Sequence, residues 1–454
     1  MPLVSRNPTD GALIQVFEPW DTADIVATLE RSVRAFREWR ETPFEQRAAS
    51  MRRLASLLRE GREEHAVLMA REMGKPVTQG LAEADKCAWV CEYYADHAQR
   101  FLAPEHAESD GRTAYVRFDP LGPLLAVMPW NFPFWQVFRC AVPAVMAGNT
   151  VLLKHASNVT LCALRIEELF RAAGFPEDVF RTLVIESAHV EAVIAYPAVA
   201  AVTLTGSGPA GRAVARTAGE ALKKTVLELG GSDPFIVLDD ADTEAAAKTA
   251  AVARCINSGQ SCIAAKRFIV TPGAADTFLP LFFEAMQTLR LGDPMDPATD
   301  IGPLAREDLL EELDAQVRNT LAQGASLLLC GHRLPARGFF YSPAVLDGVR
   351  PGMPAYAEEL FGPVASVIRA GDEDEAVAIA NDTPFGLGAS VWTRDAVRGE
   401  AMAARIEAGS VFVNGMVKSD PRLPFGGVKM SGYGRELGAF GIREFVNIKT
   451  VWVA

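Results

Sequence analysis

LLAV (124–127), TVLLK (150–154), TLVI (182–185) and AVTLT (201–205) punctuate the middle of the chain, and each is followed by a stretch with helical spacing. The helical stretches fall near 134–146, 160–173, a shorter piece after 185, and 209–219. Short, continuously apolar strands alternating with helices predict a parallel sheet covered on both faces, so the fold class is α/β and doubly wound. Ligands of such sheets lie beyond the carboxyl ends of the strands. The loops after Val127, Leu153 and Thr205 are therefore where a site is expected.

Working outward, the first hundred residues read as helices. Ile25, Val26, Leu29, Val33 and Phe36 share one helical face, with Asp21 or Thr22 as N-cap. A second helical stretch runs over 44–73 and stops at Gly74, and a third covers 77–101. TAYVRF (113–118) alternates like a strand and ends at the turn-forming Asp119-Pro120. Downstream, a second strand-and-helix series begins near 225. It includes PFIVL (234–238), RFIV (267–270), an acidic helix over 307–323 and SVFVN (410–414), and the tail IKTVWVA reads as a last strand. LELGG (227–231) sits between the two series and is the natural domain junction.

Composition narrows the class of function. The chain has 454 residues, 49% hydrophobic and 22% charged, with 45 Lys+Arg against 57 Asp+Glu. A net charge of -12 repels phosphate backbones, so nucleic acid is not an expected partner. No apolar run is long enough to span a membrane, and no secretory signal opens the chain. The 7 cysteines are odd in number and form no CxxC pair, which argues against a disulfide framework or a structural zinc and for a reducing, cytoplasmic setting. Cys87 and Cys91 are spaced for one helix face; a metal there would need His97 or another ligand, and ordinary helix packing is the simpler reading. No metal is expected.

Four local patterns carry candidate chemistry. Gly206-Ser207-Gly208-Pro209-Ala210-Gly211 fits G-x-G-x-x-G after a strand, where backbone N–H groups can approach a pyrophosphate; it is equally a helix start with turn glycines. Glu228, 17 residues beyond Gly211, falls roughly where a ribose-binding acid would. Cys262 follows the small residues of NSGQS and is either a nucleophile or an inert buried thiol, while the other six cysteines are read as core. Asn131 lies between two prolines in MPWNFP and can donate to a developing oxyanion or simply close a turn. Lys154 ends a strand, where its ammonium meets ribose or phosphate, or solvent.

Together, MPWNFP, AGNTVLLK, TLTGSGPAG, LELGGSDPFIV, NSGQSC, EELFGPV and PFGGVKMSGYGRE resemble the aldehyde dehydrogenase superfamily, in order, from about residue 113 to the end. The longer pieces NTVLLKHASN and FVNGMVKSDPRLPFGGVKMSGYGREL look most like bacterial succinate-semialdehyde dehydrogenases. The resemblance implies two doubly wound α/β domains and a small β oligomerisation element. Residues 1–228 would bind NAD(P), interrupted by an oligomerisation hairpin near 106–121; residues 229–429 would be catalytic; residues 430–454 would be an oligomerisation segment of a homodimer or homotetramer.

It also implies roles. Cys262 matches the nucleophile, Asn131 the oxyanion donor, and Glu228 the general base rather than a ribose acid. Lys154 matches the residue that holds the adenosine ribose. Gly206 and Ser207 lie at the pyrophosphate, Trp130 near the nicotinamide, and Glu359 and Phe361 at the nicotinamide ribose and ring. Where NAD-selective members often carry a glutamate, this chain has Ser157, which spares a 2′-phosphate from repulsion while Lys154 and His155 add positive charge; NADP is favoured over NAD. Arg139 and Ser419 match substrate-channel residues of succinate-semialdehyde dehydrogenases, with Lys418 and Arg422 as further basic candidates, although Arg139 can equally make a structural ion pair. A second channel arginine is replaced by Ile256, so the grip on a carboxylate must differ. The expected reaction is oxidation of succinate semialdehyde to succinate. The alternatives are oxidation of another semialdehyde or of an aliphatic or aromatic aldehyde, and CoA acylation, which the presence of Glu228 disfavours. A binding protein that kept the fold without catalysis would have lost one of the three catalytic residues.

Overall fold

A computed structural model describes residues 2–335 and 338–454. Two large sheets dominate it. The first has six strands. In spatial order, Gly432–Tyr433, Lys224–Glu228, Ala201–Thr205, Pro123–Met128, Thr150–His155 and Phe180–Thr182 lie side by side, all parallel except the first. Apart from the half-buried Val127, the central strands are buried along their whole length, as strands covered on both faces must be. Helices Trp135–Ala147, Thr160–Ala172 and Gly208–Glu220 cover the sheet. The second sheet has seven strands, with Asp233–Val237 and Ala265–Val270 paired at its centre and Val364–Arg369, Gly388–Trp392 and Ser410–Val413 also parallel.

A third, three-stranded sheet pairs the tail strand Val446–Val453 antiparallel with Thr113–Pro120, which in turn pairs with Glu105–His106. The tail is tied to the first sheet too: Gly432–Tyr433 extends it, and Leu437, Ile442, Phe445 and Val446 enter the same hydrophobic core as Leu124 and Val151.

The structure corrects the sequence reading in four places. The N-terminus is not wholly helical: Leu3–Arg6 and Leu13–Phe17 form a hairpin. The stretch read as one helix over 44–73 is two, Phe44–Glu60 and Arg62–Met73, divided at Gly61, where a Cβ would lie 2.9 Å from the His65 ring. The strand placed over 182–185 lies at Phe180–Thr182, because it pairs with Val151–Leu153 and the chain then leaves the sheet. Cys330 is not core; it follows the mostly exposed edge strand Ser326–Leu329 and faces solvent. The helix starting at Thr22 is capped by Asp21, whose Oδ1 accepts from the Asp24 N–H at 2.9 Å.

Candidate active site

The ends of three strands of the first sheet open onto one cavity of about 830 Å³, bounded on the far side by the second sheet's domain. Val127–Asn131, Lys154, Ser157 and Leu204–Ser207 line one wall, and Cys262, Glu359 and Phe361 face them. Residues of the loops after Val127, Leu153 and Thr205 line this cavity, which brings together Trp130, Asn131, Lys154, Ser157, Gly206, Ser207, Cys262, Glu359 and Phe361.

The loop that carries Cys262 is held in an unusual shape. Asn257, Ser258 and Gly259 all have positive φ (54°, 57° and 76°), a left-handed run that non-glycine residues adopt only when their surroundings impose it. Here the Asn257 N–H donates to Gln79 Oε1 at 2.6 Å, Ser258 Oγ accepts from the Gly302 N–H at 2.9 Å, and Gln260 Oε1 accepts from the Ala305 N–H at 2.8 Å. Gly259 is required, since a Cβ there would collide with the Gly362 backbone of the EELFGPV segment. Lys266, which the sequence reading missed, is buried beneath the loop. Its ammonium donates to the Ser261 and Cys262 carbonyls at 2.8 and 2.9 Å and lies 3.3 Å from Glu359 Oε1. Burial pushes the Cys262 thiol up to about 12, against the opposing pull of Arg139 and Lys266.

Asn131 is cross-tied to the same loop. Its Nδ2 donates to the Gln260 carbonyl at 3.1 Å, which leaves the second N–H of the amide free. Glu228 ends its strand just before the cavity-lining Leu229 and Gly230, and its own carboxyl is buried behind them, close to Gly426. Neither carboxyl oxygen has a hydrogen-bond partner among the described residues. Burial holds this group well above the ordinary carboxyl range; Arg139 opposes the shift and Glu436 adds to it. Such a group holds its proton further toward neutral pH than a solvated glutamate, but its side chain is not among those that line the cavity with Cys262.

The opposite end of the cavity suits a dinucleotide. Ser207 caps the helix Gly208–Glu220, whose first turn faces the cavity, and Gly211 lets that helix approach Leu229 more closely than a Cβ would allow (2.6 Å). Lys154 is buried, and among the described residues its ammonium meets only Ser187 Oγ, at 3.3 Å, with no carboxylate. An unmatched cation in a cavity wall beside Ser157 fits a ribose hydroxyl or a phosphate. His155 adds no charge there. Its Nε2 lies 2.8 Å from the Pro133 carbonyl, and burial pushes the ring down to about 4. Trp130 and Phe361 meet edge to face at 5.7 Å, with Arg306 5.8 Å from the Trp130 ring; Arg306 had no distinguishing sequence signal.

Of the two substrate-channel residues, Arg139 takes up the ion-pair reading. It is fully buried, pairs with Glu436 through Nε and lies over the Phe425 ring at 4.5 Å. Ser419 is buried and accepts from Lys86 Nζ at 2.8 Å and from Trp135 Nε1 at 3.1 Å. Arg422 is paired to Asp420, and Lys418 is exposed. Among the described residues no cluster of His, Cys, Asp and Glu could hold a metal; His97 stacks on Tyr93 instead.

The chain is similar to known proteins over its whole length. Succinate-semialdehyde dehydrogenase (NADP+) 1 of Mycobacterium tuberculosis is 51% identical over 457 residues, covering all of both chains. The corresponding protein of Mycobacterium avium is 50% identical and matched over 97% of its length. The crystal structure of succinic semialdehyde dehydrogenase from Streptococcus pyogenes in complex with NADP+ superposes with a TM-score of 0.97 at 38% identity, covering 99% of both chains. Residues 2–451 match the aldehyde dehydrogenase family model, and with Cys262 and Asn131 facing one cleft the chain belongs to the aldehyde dehydrogenase family.

Proposed function

We propose that this protein oxidises succinate semialdehyde to succinate with NADP+. The observation that carries the reading is one cavity whose lining holds a thiol and an amide donor together with a lysine that has no carboxylate partner among the described residues and lies beside a serine. The relatives named for succinate semialdehyde and NADP+ support it over the full length of the chain.

Cys262 gives its proton to water as Sγ attacks the aldehyde carbon, and the carbonyl electron pair moves onto oxygen to give a thiohemiacetal anion. The free N–H of Asn131 meets the charge that develops on oxygen; one such donor contributes about 3–4 kcal/mol. Bound NADP+ supplies the acceptor for the hydrogen and two electrons that leave this carbon. A thioester to Cys262 remains. Glu228 takes a proton from water, the water oxygen attacks the thioester carbon, and the thiol leaves, releasing the carboxylate. Lys154, Ser157 and Ser207 hold the nucleotide's ribose and phosphates, and Trp130, Glu359 and Phe361 bound its nicotinamide end. Ser157 in place of an acid leaves room for a 2′-phosphate, so NADP+ is preferred and NAD+ is the weaker alternative.

We assign residues 1–228 to cofactor binding, 229–429 to catalysis and 430–454 to assembly into a homodimer or homotetramer. The three-stranded sheet with exposed Ile448 and Trp452 supports the last assignment. No helix among the described residues is long and apolar enough to cross a membrane. A cytoplasmic, reducing setting suits the catalytic thiol.

The test is a panel of succinate semialdehyde, glutarate semialdehyde and uncharged aldehydes, each with NADP+ and NAD+, read by the absorbance of reduced nicotinamide. Turnover fastest with succinate semialdehyde and NADP+ is expected. No turnover with any aldehyde, or undiminished turnover in Cys262→Ala, overturns the reading.

A further inference from the structure

A buried cation lies directly beneath the turn that carries the thiol, and its charge is only partly cancelled. We propose that Lys266 is the positioning residue that sets both the place and the reactivity of Cys262, with Glu359 as the counter-charge that moderates it. The inference rests on the reading of Cys262 as nucleophile and adds what tunes it.

Lys266 belongs to the strand Ala265–Val270, one turn of chain beyond Cys262, and is fully buried. An ammonium has three N–H donors. All three meet carbonyls of one turn: Ser261 at 2.8 Å, Cys262 at 2.9 Å and Ala264 at 3.3 Å. A neutral amine has only two N–H groups and could not fill this set. Burial works against the charged form, while Glu359, Asp233 and Cys262 support it. The contacts pin the turn on both sides of Cys262. Gly231 closes the same space, since a Cβ there would lie 2.6 Å from the Cys262 carbonyl. A turn that needed only closing could meet its carbonyls with backbone N–H groups or water; a buried ammonium is a far costlier way to do it.

The neighbouring charges show why a cation is there. Glu359 Oε1 lies 3.3 Å from the ammonium but accepts its hydrogen bond from the Gly231 N–H, at 3.1 Å. It therefore offsets the Lys266 charge without anchoring the side chain, and it stands in the wall of the cavity that also holds Cys262. Asp233 is the second acid. Burial pushes it up to about 7, so near neutral pH it carries only part of a charge. Against these stand two more buried cations. Arg254 donates to the Gly259 carbonyl at 2.7 Å, and its Nε and Nη1 have no partner among the described residues. Arg267 donates to the Ser232, Ile379 and Ala380 carbonyls.

The layer beneath the thiol thus holds three cations against Glu359 and a partly protonated Asp233. A positive excess beside a cysteine favours the thiolate, the form that attacks a carbonyl carbon. Of the three cations, Lys266 is the one bonded to residue 262 itself.

The experiment measures how fast iodoacetamide alkylates Cys262 without nucleotide, with the label located by peptide mass spectrometry, in wild type, Lys266→Met and Glu359→Gln. Iodoacetamide is uncharged, so its approach is insensitive to the charges removed. Lys266→Met is expected to slow the reaction about 3- to 10-fold, because the thiolate fraction falls and the gain in nucleophilicity returns only part of the loss. Glu359→Gln is expected to speed it by a similar factor. Opposite effects from removing opposite charges are what a field acting on the thiol produces. A packing role alone predicts the reverse for Lys266→Met, since a loosened turn exposes the thiol. An unchanged or faster rate in that variant overturns the assignment, as does an unchanged or slower rate in Glu359→Gln. Glutamine at 359 can still accept from the Gly231 N–H, so this second arm decides the matter even if Lys266→Met does not fold. Failure of the nucleophile reading looks different: alkylation of Cys262 in the wild type then leaves turnover of succinate semialdehyde intact.

Discussion

Asn257 Nδ2 donates to the backbone carbonyl of Asn131 at 2.7 Å. This bond joins the loop that carries Cys262, the proposed nucleophile, to the loop that carries Asn131, the proposed oxyanion donor, across the seam between the two sheets. Because Asn257 also donates to the Gln260 carbonyl at 2.9 Å, its side chain sets the relative position of the reacting groups from both sides. Replacing it with alanine would confound lost bonds with strain, since its φ is 54°. Asn257→Gly keeps the left-handed backbone at little cost and removes only the tether. Its kcat is expected to fall about 10-fold or more, by misplacing groups that must be held within a fraction of an ångström. NADP+ affinity, measured by equilibrium titration, is expected to change little.

Asn131→Ala removes the amide that meets developing charge. The expected loss is about 10²- to 10³-fold in kcat with a smaller change in KM, because the bond strengthens only in the transition state. Single-turnover measurement of thioester formation checks this directly. A loss confined to KM would mean that Asn131 grips the ground-state substrate instead.

Glu228→Gln separates the two halves of the reaction. Acylation of Cys262 is expected to continue once per enzyme and hydrolysis to stall, so reduced cofactor appears as a burst and mass spectrometry finds the acyl adduct. The pH dependence follows from the upward shift caused by burial. The base works only when deprotonated, so hydrolysis in the wild type falls as pH drops through a value above the ordinary glutamate range. The glutamine variant lacks that limb.

Much of the architecture was legible because the relevant signals are local. The strand Ala201–Thr205 coincides with the short run AVTLT of apolar and β-branched residues, all of them buried. Asn131 and Cys262 sit in short, ordered motifs, so the pair proposed as catalytic is readable from neighbouring residues, and the structure brings both to one cavity. The N-terminal hairpin was not, because its strands are only four and five residues long and neither alternates cleanly between buried and exposed. Nor did anything in a periodic helical stretch mark the break at Gly61 except the glycine itself. Lys266 escaped for a different reason. It looks like an ordinary lysine, and its meaning comes from partners the fold supplies, Glu359 among them. Arg139 shows the converse: a motif match named it, and only the buried Glu436 reveals that its charge is already balanced.

Ser157→Glu should reverse cofactor preference. Lys154 and Ser157 line the same end of the cavity, and a carboxylate at 157 would repel a 2′-phosphate while accepting a bond from a 2′-hydroxyl. Affinity for NADP+ is expected to fall about 10- to 100-fold and affinity for NAD+ to hold or rise, on the scale of a charged hydrogen bond lost or gained. Fluorescence titration of each nucleotide without aldehyde measures this apart from turnover. A parallel loss for both nucleotides would show a general disturbance of the pocket.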